Sequence, residues 1–147
     1  MQLQTILVPC DFSEYAELAF QWALGLAESW KARVVLLHAV PGFSAFAYPE
    51  SVYLPDLAKL EAEEVSGAEK RLQEFAAKKG MNPATIETCV VMSDPFQAIC
   101  QVAEKEHSDL IIMGSHGRTG LAHMLLGSVA ERVVRHAPCP VLVVRRP

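Results

Sequence analysis

The sequence predicts an α/β fold: a single doubly wound, five-stranded parallel sheet with helices on both faces, its strand order taken as 3-2-1-4-5. Three observations predict it. Short β-branched runs alternate with helix-patterned stretches from one end of the chain to the other. Several of those runs are apolar at every position, as strands buried on both faces are. The chain has 147 residues, 51% of them hydrophobic and 20% charged. That length fits one domain spanning residues 1–147, able to bury roughly two thirds of its unfolded surface.

The first strand is read at Leu3 to Pro9, LQTILVP. Residues 13 to 30 follow with Ala16, Ala19, Phe20, Ala23, Ala27 and Trp30 on one side, the spacing of a core-facing helical stripe. Arg33 to Ala39 (RVVLLHA) is the second strand, and a second helix carries Leu57, Leu60, Ala68, Leu72, Phe75 and Ala76 on one face with charge on the other. Between them Pro41 to Pro55 has three prolines and four aromatics without periodicity. A loop of this length is read either as a lid or partner contact, or as a passive loop anchored by its aromatics.

Ile86 to Met92 (IETCVVM) is the third strand. The third helix opens at Asp94-Pro95-Phe96-Gln97, where an Asp cap, a proline at the first helical position and a Gln at the third satisfy free amides. Leu110 to Met113 and Pro140 to Arg145 are the last two strands, and Ser128-Val129-Ala130-Glu131 reads as a capping box opening a fourth helix that ends near His136, before Pro138. Right-handed crossovers in this Rossmann-like arrangement place a ligand beyond the carboxyl ends of the strands where the order reverses, between strands one and four.

Composition narrows the function. No basic, apolar leader precedes Asp11 and Glu14, and no run reaches membrane-spanning length, so a cytoplasmic protein with no membrane partner is expected. The four cysteines (Cys10, Cys89, Cys100, Cys139) are scattered singly with no metal-ligand spacing, and are read as buried apolar thiols in a reducing compartment. Net charge is −4, unevenly placed: residues 1 to 109 hold 8 basic and 16 acidic side chains, whereas residues 110 to 147 hold 5 arginines and 1 acid. An anionic ligand near the C-terminal third follows. The wide basic stripe with interleaved aromatics that a nucleic-acid surface needs is absent.

That positive region also holds Gly114 to Ser128, GSHGRTGLAHMLLGS, with four of the chain's eight glycines. Glycine supplies backbone angles closed to other residues and allows close approach of the main chain, so four together point to a bound partner. The loop leaves a strand at Met113 and enters a helix at Ser128, whose outward amides and dipole favour an anion. Gly114, Gly117 and Gly127 leave room for main-chain N–H groups to curl towards phosphates, and Ser128 adds a hydroxyl. A Walker A loop is excluded, because Lys105 is the only lysine from Asn82 onward, and G-x-G-x-x-G is missing.

Gly114, two residues, Gly117, nine residues, Gly127, then Ser128: this pattern after a fourth strand resembles the nucleotide-binding signature of the universal stress protein family. Ile6 to Glu14 (ILVPCDFSE) resembles that family's opening strand and turn, Leu36 to Val40 its second strand, and Pro138 to Arg145 its ending. The family comprises small, commonly dimeric α/β proteins, and members with this motif bind ATP. The resemblance implies that Asp11 approaches the ribose, with Pro9 and Cys10 shaping the turn beside it. Cys10 stands where the family usually has threonine. Ala39 and Val40 are implied at the adenine edge, Met113, Gly114 and Gly117 along the nucleotide, and Gly127, Ser128 and Val129 at the phosphates.

Plainer roles stand beside these. Asp11-Phe12-Ser13-Glu14 also fits a capping box with Asp11 as the cap, and Ser128 serves equally as a cap alone. His116 and Arg118 either reach phosphates or are merely solvated. Gly120 serves a turn, and His38 is read as a hydrogen-bonded core histidine. Hydrolysis needs a placed water or base and usually a metal, and Asp11 is the only acid near the loop. The reading is therefore an ATP-binding regulatory protein of the stress response, ATP with or without Mg²⁺, and no catalytic residue. The alternatives are a slow ATPase or phosphotransferase, and a signalling dimer in which nucleotide is incidental. An open last strand, Val141 to Val144, is a pairing liability. The resemblance implies that it pairs with a second copy in a homodimer.

Overall fold

A computed structural model describes residues 2–42, 57–77, 86–117 and 126–145. Five strands, β1 (Thr5–Pro9), β2 (Arg33–Val40), β3 (Ile86–Met92), β4 (Leu110–Gly114) and β5 (Val141–Val144), alternate with four helices: α1 (Glu14–Trp30), α2 (Leu57–Ala77), α3 (Pro95–Lys105) and α4 (Ser128–His136). All neighbouring strands are parallel, in the order β3-β2-β1-β4-β5. The order assumed from sequence is the order observed. Leu7, at the centre, is registered with Val35 on one side and Ile111 on the other.

Because alternate side chains of a strand point to opposite faces, the apolar runs build two cores. Ile6, Val8, Val34, Leu36 and Ile112 pack on one face beneath Ala16, Ala19, Phe20 and Ala23 of α1 and Leu72 of α2. Leu7, Val35, Leu37, Ile111 and Met113 pack on the other beneath Ala98, Ile99 and Val102 of α3 and Ala130 and Val133 of α4. Unbroken hydrophobicity along β1 and β2 is thus the signature of a sheet covered on both sides.

Helix ends show where sequence expectations held and where they did not. Asp94 caps α3, its carboxylate accepting the Gln97 N–H, with Pro95 at the first turn as expected. At α1 the cap is Ser13, which accepts the Ala16 N–H, and not Asp11, whose Oδ1 instead accepts the N–H of Ser13 two residues on. At α4 the capping box is not formed: Gly127 is the N-cap and Ser128 is already helical, so no side chain caps the first amides. Trp30, expected on the core stripe, is 44% exposed, since α1 ends there and turns off through left-handed Lys31. Leu60 is 38% exposed, because the buried residues of α2, Ala68 and Leu72, lie beyond its first turns.

The end of the sheet opposite the carboxyl termini is tied by charge. Asp109, just before β4, accepts the N–H groups of Gln4 (2.8 Å) and Thr5 (3.0 Å). Those two bonds hold its carboxyl below the usual carboxylate range. Arg33 meets Glu87 and Glu106 at 3.0 Å each and Thr5 Oγ1 at 3.1 Å. Among the described residues no helix is long and apolar enough to cross a membrane.

Candidate functional site

A cavity of about 310 Å³ opens at the carboxyl ends of β1, β2 and β4, where the helices that follow β1 and β4, α1 and α4, pack on opposite faces of the sheet. Doubly wound sheets hold their ligands at this reversal. Its walls come from five stretches of the sequence: the end of β1 through the first turn of α1, the end of β2, the start of α3, the end of β4 with the residues after it, and the start of α4.

Pro9, Cys10 and Asp11 form the first wall. Cys10 is buried, and its N–H donates to the Leu37 carbonyl at 2.7 Å, one step past the β1–β2 ladder. The Cys10 carbonyl lies 2.7 Å from His38 Nδ1. A carbonyl can only accept, so Nδ1 is the protonated nitrogen, and the expected core histidine is fixed in one tautomer. Phe12 then adopts φ 65°, a left-handed conformation costing a residue with a Cβ about 1–2 kcal/mol. The chain reverses there, leaving Asp11 at the rim.

The fourth wall is Met113, Gly114, Ser115, His116 and Gly117. Ser115 is buried, its N–H donating to Val144 (2.8 Å) and its carbonyl accepting the N–H of Gly127 (2.7 Å). That second bond joins the two ends of the glycine-rich loop. Ser115 Oγ and His116 Nδ1 are 3.0 Å apart, and the His116 ring centroid lies 5.5 Å from that of Tyr15.

Gly114, Gly117 and Gly127 each lie close against another part of the chain. A Cβ on Gly114 would stand 2.6 Å from the Tyr15 Cβ and 3.0 Å from its carbonyl carbon. On Gly117 it would meet Asp11 Oδ2 at 2.6 Å, and on Gly127 the Ser115 carbonyl oxygen at 3.2 Å. None of the three has left-handed φ, so the expectation of special backbone angles is corrected to one of close approach. The density of glycine in this loop therefore does not by itself require a bound partner.

The last wall is Gly127, Ser128, Val129 and Ala130 at the start of α4. With no capping side chain, the first amides of this helix open on the cavity carrying the positive end of the helix dipole. Arg132, one turn along, lies 4.1 Å from the Phe96 ring centre and 3.7 Å from Asp94, fastening α4 to α3 beside the cavity.

Of the residues singled out from sequence, the structure brings together Pro9, Cys10, Asp11, Ala39, Met113, Gly114, His116, Gly117, Gly127, Ser128 and Val129. Val40 is left out: its side chain is buried and its carbonyl accepts the N–H of Ser93 at 2.9 Å. Arg118, Gly120 and most of the Pro41 to Pro55 loop lie outside the described residues. Ala16, Leu37, Pro95, Ile99, Ser115 and Ala130 line the cavity without having been expected there. Pro95 and Ile99 carried a usable signal, since the third helix had to start at the same edge of the sheet.

Among the described residues Asp11 is the only carboxylate in the cavity lining, and no group of three potential metal ligands is gathered. All four cysteines are free thiols. Cys10 is buried as expected, whereas Cys89, Cys100 and Cys139 are half-buried, and that burial pushes their thiols above the ordinary range.

Comparison with known proteins follows the same lines. The model of the universal stress protein family matches residues 2–145. The chain belongs to the universal stress protein family. Universal stress protein MJ0531 of Methanocaldococcus jannaschii is 36% identical over 142 residues, covering 97% of this chain and 82% of that one. The solved structure of MJ0577 from the same organism superposes with a TM-score of 0.79 at 32% identity, covering 100% of this chain and 99% of that one. The fold is shared, at 23% identity, by a universal stress protein in complex with cAMP (TM-score 0.67, 100% of each chain). It is shared equally by one from Archaeoglobus fulgidus in complex with dAMP (0.59, covering 97% and 98%).

Proposed function

We propose that this member of the family binds ATP in the cavity and acts as a cytoplasmic, nucleotide-responsive regulator of the stress response, working as a homodimer. The observation that carries the reading is the uncapped start of α4, which lines a cavity where Asp11 is the one carboxylate among the described residues. Polyphosphate belongs at the first and a sugar hydroxyl, a hydrogen-bond donor, at the second. A cavity of about 310 Å³ lies within the size range of small-molecule sites. That one universal stress protein of this fold holds cAMP and another dAMP agrees in ligand chemistry.

In this reading the amides of Ser128 and Val129 and the Ser128 hydroxyl hold the phosphates, while Gly127, expected among the phosphate-binding amides, has its N–H committed to the Ser115 carbonyl and sets the start of the helix beside them. Asp11 accepts from the ribose, Ala39 offers its backbone to the adenine edge, and Met113, Gly114 and Gly117 lie along the nucleotide. His116, beside the loop's stapled ends, faces the phosphates. Mg²⁺ fits only as a passenger of the phosphates, since one carboxylate and waters are all that the described walls add to it. The chain's residues bind and orient ATP.

Gentle purification followed by native mass spectrometry tests this. The expected spectrum shows the chain carrying an adenine nucleotide, or taking up ATP when it is added. A protein that stays bare in millimolar ATP contradicts the proposal. Steady ADP release with Mg²⁺ that is lost in Asp11→Ala or His116→Ala would establish the enzymatic alternative.

A further inference from the structure

No described residue of α2 lines the cavity, yet α2 is linked to it through a set of rings. Phe12 sits between Asp11 at the rim and Ser13, the cap of α1, in the left-handed region that residues with a Cβ avoid. Its ring centroid lies 4.5 Å from His38 and 6.0 Å from Phe75 of α2, in an edge contact. The guanidinium of Arg71, also on α2, lies 5.2 Å from the centre of the same ring. His38 in turn holds the Cys10 carbonyl. The turn is thus gripped on both sides of Asp11, at Cys10 by a hydrogen bond and at Phe12 by rings. With Oδ1 of Asp11 occupied by the Ser13 N–H, the other oxygen is set against Gly117 at the cavity wall.

We infer that Phe12 is a positioning residue: α2, through Arg71 and Phe75, keeps the turn in its disfavoured conformation and so aims Asp11 at the sugar of the ligand. Discrimination of the ribose is then set by a helix that does not line the site. The inference rests on the nucleotide reading above. A ring that merely filled the core would change stability and would weaken every ligand alike. A ring that aims Asp11 acts only on the contact Asp11 makes.

Isothermal titration calorimetry with ATP and with its 2′-deoxy and 3′-deoxy analogues separates the two. Phe12→Gly keeps a backbone suited to the turn but releases the grip, and Arg71→Ala removes an exposed side chain without opening the core. Phe12→Gly is expected to weaken ATP about tenfold and Arg71→Ala about twofold to threefold. In both, the preference for ATP over at least one deoxy analogue collapses. In an Asp11→Asn background neither substitution has any further effect, because residues acting through one contact are not additive. Additive losses, or equal weakening of ATP and both analogues, overturn the inference while leaving the nucleotide reading intact. A wild-type protein that binds none of the three overturns both. Should Phe12→Gly fail to fold, Arg71→Ala in the two backgrounds decides the matter by the same criteria.

Discussion

A methyl group added at Gly117 and one added at Gly114 meet different kinds of obstacle, and the difference separates function from stability. At Gly117 the obstacle is Asp11 Oδ2, the end of a side chain that can swing aside. Gly117→Ala is expected to leave melting nearly unchanged but to displace the carboxylate, weakening ATP about tenfold, which is roughly 1.4 kcal/mol. At Gly114 the obstacle includes the Tyr15 backbone, which cannot move without shifting α1. Gly114→Ala is accordingly expected to destabilise the fold by about 1–3 kcal/mol, as overpacking does. Thermal melts and ATP titrations of the two variants check the contrast. The glycine pattern was legible in the sequence, whereas its cause was not, because the partners of these glycines lie about a hundred residues away in the chain.

Among the elements, the strand starts carry a test of their own in Asp109. Its carboxylate accepts from Gln4 and Thr5, and its pKa is held down in the folded state. A depressed folded value contributes stability that is present above the unfolded pKa and is lost as pH falls through the folded one. Asp109→Ala is therefore expected to cost about 1–2 kcal/mol near neutrality, after discounting for solvent screening. The gap between variant and wild type should close below the usual carboxylate range. Urea melts at several pH values measure it, and a gap independent of pH would contradict the assignment. The third helix shows how completely an element can be read from sequence: Asp94, Pro95 and Gln97 act as their order implies. The fourth shows the opposite. Ser128-Val129-Ala130-Glu131 has the letters of a capping box, but the bond from the Gly127 N–H to Ser115 and the onset of helix at Ser128 move the cap one residue back. Local sequence fixed neither of these, since both depend on where β4 ends.

For the whole molecule, the parallel sheet and its two cores follow from the alternation of apolar runs with amphipathic helices, and the order 3-2-1-4-5, assumed from sequence and observed, places the cavity where it was sought. Most site residues lie at the ends of strands or at helix starts; spacing pointed to Gly114, Gly117, Gly127 and Ser128, whereas Pro9, Cys10, Asp11 and Ala39 were implied by the family resemblance. Val40 falls outside the lining because its carbonyl is taken by the turn after β3, a contact that nothing near it in sequence announces. The sheet ends at β5, four apolar residues paired on one side with β4. An edge of this kind invites pairing. The proposed homodimer through Val141 to Val144 predicts a scattering mass twice the chain's 16.1 kDa across a broad concentration range. A mass that remains that of one chain at every concentration contradicts it.

The central claim is that main-chain amides at the start of α4 hold the phosphates of ATP, and amide-resolved NMR during an ATP titration tests it most directly. The resonances of Ser128 and Val129 are expected to shift most and to saturate together with those of Asp11 and Gly117. Resonances at the start of α4 that stay in place through saturating ATP, whether or not others move, would contradict it.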